Sequence, residues 1–67
     1  MKITDIIIDP EHLQTGEWKA KVEIYTDLPE NNIFILNEPG KKFDTKEAAE
    51  SYCNAMILDW KRHKGIE

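Results

Sequence analysis

Cys53, His12 and His63 are the side chains of this 67-residue chain best suited to nucleophilic, proton-transfer or soft-metal chemistry. Their spacing does not bring them together. No CxxC, HxxxH or HExxH pair is present, so no metal site is expected. Cys53 shares helical spacing with Met56 and Trp60, where a thiol behaves as a small apolar group and its pKa rises. Core packing is its expected role. His63 falls on the same stripe near a helix end, which predicts a capping or core-edge position. His12, beside Glu11 in a polar stretch, is expected in solvent. Asp5, Asp9, Glu11, Glu23, Asp27 and Glu30 are scattered over strand ends and turns. A general acid/base pair needs environments that split two pKa values, and none of these residues is paired in that way. The chain therefore reads as a non-enzyme without catalytic residues, metal or cofactor.

The elements that position these residues follow from periodicity. Lys2–Asp9 is isoleucine-rich and ends at Pro10, which has no N–H for a continuing ladder, so it reads as a first strand. Glu11–Gly16 has no periodicity and reads as a loop. Glu17–Thr26 alternates, with Trp18, Ala20, Val22 and Ile24 on one side and Glu17, Lys19, Lys21, Glu23 and Tyr25 on the other. Asp27–Asn31 is turn chemistry, Asn32–Leu36 a short third strand, and Asn37–Gly40 another turn. The short connections predict antiparallel neighbours.

A helix then starts with Asp44 as its cap, Glu47 completing a capping box, and Phe43 stapled onto Ala48. Lys61, Arg62 and Lys64 complement the negative end of its dipole, and Gly65 suits a left-handed stop. Ala48, Ala49, Tyr52, Cys53, Met56, Trp60 and His63 form the predicted apolar stripe, with Glu50, Asn54, Leu58 and Lys61 facing away. The expected fold is α+β in two layers, β-β-β-α, a three-stranded antiparallel sheet packed on one C-terminal amphipathic helix.

So short a chain cannot build two stable cores, which predicts a single domain over residues 1–67. A core of this size contributes about 3–5 kcal/mol, and such domains usually add disulfides, a metal or a partner. With one cysteine and no metal motif, a partner is what remains. The single cysteine and the lack of a recognisable signal peptide predict a cytoplasmic location, and no apolar run is long enough for a membrane. The net charge of −4 disfavours undirected attraction to phosphate backbones.

The stretch Gly16-Glu17-Trp18-Lys19-Ala20-Lys21-Val22, followed by Phe43-Asp44-Thr45-Lys46-Glu47-Ala48-Ala49-Glu50, resembles the AP2-like N-terminal domain of tyrosine-type integrases. That resemblance implies three strands on one helix, with the open sheet face entering a DNA major groove through Lys19, Lys21 and Tyr25. A weaker likeness, carried by Pro39-Gly40 and Asp44-Thr45, is to HicB-type antitoxin domains, which implies a protein partner.

One helix has one apolar stripe. It can cover Trp18, Ala20, Val22 and Ile24 together with Ile6 and Ile8, which leaves Ile7 and Tyr25 on the opposite side. Either Ile33 and Ile35 or Phe34 and Leu36 must join them there. The sequence thus predicts a protein-interaction module that self-associates or docks another protein through Ile7, Tyr25, Ile33, Phe34, Ile35 and Leu36, whichever strand-three pair faces outward. A homodimer is one form of this reading. Nucleic-acid binding through Lys19, Lys21 and Tyr25 is the alternative.

Overall fold

A computed structural model describes residues 1–38 and 40–65. The alternation read across Glu17–Thr26 is the spine of the fold. It forms β3 (Trp18–Lys19) and β4 (Lys21–Thr26), parted at Ala20. On either side of β4 lie β1 (Ile3–Ile8) and β5 (Ile33–Asn37), both antiparallel to it, and α1 (Lys46–Lys64) packs over one face. The architecture is the α+β arrangement that the patterning predicts: a three-stranded antiparallel sheet and one C-terminal helix.

The expected loop at Glu11–Gly16 is only partly a loop. Glu11–His12 forms β2, which pairs with β3 as a second, two-stranded sheet. Both sheets share one register. Ile8 stands opposite Val22, and three residues on along one strand and back along the other, Glu11 stands opposite Lys19. The chain thus forms one long hairpin ribbon interrupted where Pro10 meets Ala20. Pro10, opposite Ala20, has the parity that points away from the partner strand, so its missing N–H takes no bond from the ribbon, and the pairs on either side persist, with Asp9 N–H donating to the Lys21 carbonyl at 3.0 Å. Beyond them the Leu13 N–H donates to the Glu17 carbonyl at 2.8 Å and closes the hairpin.

A bulge re-phases the other end of β1. Ile3 pairs with Thr26 and Asp5 with Tyr25, so Thr4 is the extra residue. This lets Ile3 and Ile6 both pack against the core despite their odd spacing. Ile8, expected under the helix, is 36% exposed and lies outside the packed cluster, a correction that follows from its place beside the ribbon's interruption.

The start of α1 lies one residue later than the expected cap. Thr45, in an extended conformation, is the N-cap, and its hydroxyl accepts from the Ala48 N–H at 3.1 Å. Asp44 is exposed and lies before the cap. Phe43 forms a β-bridge with Trp18 and packs on Tyr52 at a ring distance of 5.2 Å. At the other end Gly65 takes the expected left-handed conformation, φ 71°, and its N–H returns to the Arg62 carbonyl.

The buried stripe of α1 is Ala49, Cys53, Ile57 and Trp60. It includes Ile57, absent from the predicted stripe, whereas Ala48 and His63 face solvent. The physical reason is the spacing: residues four and three apart from Ala49 through Trp60 make a tighter line than one drawn through Ala48 and His63. Against this line β4 sets Val22 and Ile24, both fully buried, with Ala20 just before them. Ile6, Phe34, Leu36, Tyr52 and Met56 close the cluster. Pro39, part of the expected turn at Asn37–Gly40, lies outside the described residues.

Candidate interaction surface

The central strand decides what each face carries. Val22, Ile24 and Thr26 turn toward the helix and are buried, so Lys21, Glu23 and Tyr25 turn outward. Register extends this division to the neighbours. One outer row runs Asp5, Tyr25, Ile33; the next runs Ile7, Glu23, Ile35; Lys21 stands beside Asn37 in the third. Three isoleucines therefore flank a polar centre, with Ile7 40%, Ile33 48% and Ile35 56% exposed.

Glu23 and Tyr25 form that centre. The Tyr25 hydroxyl donates to Glu23 Oε1 at 3.1 Å. This hydrogen bond, with the charge of Glu23 behind it, raises the phenol above its ordinary pKa, because ionisation would lose the bond and place two anions together. The pair locks a phenol ring across the middle of the apolar rows. Tyrosine is well suited to contact surfaces, offering a rigid apolar body with a polar tip.

Of the predicted interaction residues, Ile7, Tyr25, Ile33 and Ile35 come together on this face. Phe34 and Leu36 do not, since they turn inward; Phe34 packs on Trp60 with ring centroids 5.2 Å apart. Both parities of the strand are apolar, and the inner one was settled by the fit of Phe34 to Trp60.

The set Lys19, Lys21 and Tyr25 is split. Lys19 belongs to the smaller sheet, opposite Glu11, and with Lys21 it lines a hollow that also contains Glu11 and Glu38. The carboxylates there offset the ammonium groups, so the hollow has no cationic excess. Cys53 is fully buried, its thiol 3.6 Å from the Lys21 carbonyl, and burial pushes its pKa up. His63 leaves the apolar stripe: its side chain is 75% exposed, with Nδ1 2.9 Å from the Asp59 carbonyl. His12 is exposed as expected, but it stacks flat on Trp18 at 4.2 Å across the ribbon. Sequence reasoning missed this contact because it treated Glu11–Gly16 as a loop, whereas Glu11–His12 pairs with β3.

Among the described residues, no group of three or more His, Cys, Asp or Glu side chains could hold a metal ion. No helix among them is long and apolar enough to cross a membrane. No family model, curated protein or solved structure matches the chain.

Proposed function

We propose that this chain is a non-catalytic protein-interaction module that docks a protein through the outer face of its three-stranded sheet. The observation that carries the reading is the grouping of Ile7, Ile33 and Ile35 around the Glu23–Tyr25 pair, on the side that the helix does not cover. Exposed apolar side chains gathered on one face mark interaction surfaces on proteins in water. Burying them offsets the small core of so short a chain. The mixed charges beside Lys19 and Lys21 favour this reading over nucleic-acid binding, which depends on a basic surface.

Selection of displayed random peptides tests the reading, with hydrogen exchange to map where the winners bind. Peptides enriched on the natural chain are expected to protect β1, β4 and β5 and to lose binding to an Ile7→Lys/Ile33→Lys variant. Winners that map to the helix, or that keep their affinity for the variant, would refute the assignment of the face.

A further inference from the structure

The two edges of the sheet are finished differently. Asp9 N–H points to β4, so the Ile6 N–H of opposite parity points away from the sheet, and the Asp5 carboxylate accepts it at 2.9 Å. A side chain thus takes up an outward donor of the β1 edge. The β5 edge has no such protection. Thr26 N–H donates to the Asn32 carbonyl at 2.8 Å, which fixes the parity: the backbone groups of Phe34 and Leu36 face β4 and those of Ile33, Ile35 and Asn37 face outward. Among the described residues, no backbone hydrogen bond from outside the sheet reaches these three. The strand reads Ile-Phe-Ile-Leu-Asn, without a charge, a proline or a bulge. Natural edge strands usually carry at least one of these to prevent pairing.

We propose that a second copy of this chain pairs antiparallel with β5 across this edge, about a two-fold axis at Ile35, joining the two three-stranded sheets into one. The edge is complementary to itself. With Ile35 facing Ile35 of the second copy, Ile33 falls opposite Asn37, and every outward N–H and C=O of these residues gains a partner. A slip of one residue sets outward groups against groups already bonded to β4, and a slip of two leaves some of these outward groups without a partner on β5, so the centred register makes the most bonds. The side chains agree with it. No like charges are opposed, and Phe34 and Leu36 of the two copies alternate on the inner side. There they extend a groove lined by Leu36, Met56 and Trp60, which a lone chain leaves open beside the strand. A foreign strand would have to match five uncharged residues and this register, whereas the second copy carries both. The contact uses the backbone of one edge and stands whether or not the outer face docks a protein.

Light scattering coupled to size exclusion, with amide exchange on the same samples, tests the pairing. The expected mass is about twice the 7.8 kDa of one chain. The Ile33, Ile35 and Asn37 amides should exchange more slowly as concentration rises. Ile35→Pro removes the central donor without touching a bond to β4, and should give the single-chain mass with the helical circular dichroism retained. Should the proline disturb the strand itself, Ile35→Lys keeps the backbone intact and opposes two like charges at the axis, with the same expected result. Ile7→Lys, on the far strand, should leave the dimer intact. A single-chain mass for the natural protein at millimolar concentration, or fast exchange of those amides at every concentration, overturns the pairing while leaving the outer-face reading open to a foreign protein. A dimer that survives both Ile35 variants but dissociates with Ile7→Lys also overturns it, and assigns self-association to the face.

Discussion

Ile24 offers the sharpest test of how the core is built. It is among the largest fully buried side chains, with Ile6 and Phe34 as its cross-strand neighbours and the α1 stripe above it. Ile24→Ala removes three carbon atoms. At about 0.8 kcal/mol per buried methylene the transfer cost is roughly 2.4 kcal/mol, and the unfilled cavity raises the total to about 3–4 kcal/mol. A domain of this length is stable by roughly 3–10 kcal/mol, so the loss takes at least about a third of the total. Ile24→Val supplies a graded point, with an expected loss of about 0.5–1.5 kcal/mol. Leu58→Ala is the control, because Leu58 is 56% exposed on the helix and should change stability by less than about 0.5 kcal/mol. Urea unfolding followed by circular dichroism, fitted with a common slope at low protein concentration, gives all three values. A loss below about 1 kcal/mol for Ile24→Ala, or one for Leu58→Ala as large as that for Ile24→Val, would refute the assignment of the core.

Other parts of the structure are open to separate tests. Thr45→Ala should cost about 1 kcal/mol in urea unfolding and Asp44→Ala clearly less; equal losses would return the cap to Asp44. Cys53 should resist a thiol reagent in the folded chain and react at the rate of unfolding, and rapid labelling of native protein would contradict its burial. Its folded pKa is raised, so the stability linked to this thiol is fully present below the unfolded pKa and is lost as pH rises through the folded one; thermal melts across the alkaline range should show the decline. Glu23→Gln should move the Tyr25 phenol back toward its ordinary pKa, read from its ring carbon shifts in an NMR titration, and an unmoved titration would contradict the hydrogen bond. Fluorescent duplex DNA should show no binding at physiological salt; micromolar, salt-sensitive binding abolished by Lys19→Glu/Lys21→Glu would favour the nucleic-acid alternative.

What the sequence revealed depended on how one-sided each pattern was. Lys21–Thr26 places apolar and polar residues on alternate positions, so its two faces could be read directly. Ile33–Leu36 is apolar at every position; its inward pair depends on the fit of Phe34 to Trp60, a long-range contact that local pattern does not encode. The hairpin arm was hidden because β2 is a polar two-residue strand that follows a proline. Its stability comes from register with β3 and from the stack of His12 on Trp18. In the helix, Asp44 and Thr45 are both competent caps, and local chemistry does not choose between them. The outer patch was legible in part. Ile7 and Tyr25 followed from alternation, whereas Ile33 and Ile35 needed the tertiary fold.

The shared register of the ribbon governs which changes of length the chain tolerates. Because β1 and β2 face β4 and β3 without a net offset across Pro10 and Ala20, a residue inserted between Asp9 and Glu11 moves the whole arm by one place. His12 would then lose Trp18 as its partner, and Trp18 itself is tied by both of its backbone groups to Phe43 at the foot of the helix. Only a matching insertion near Ala20 would restore the pairing. At the tip, between Leu13 and Glu17, added residues enlarge the turn and shift nothing behind it. A library of single insertions scored for folding should therefore show one tolerant window at the tip and a pair of forbidden ones that become permissible only together.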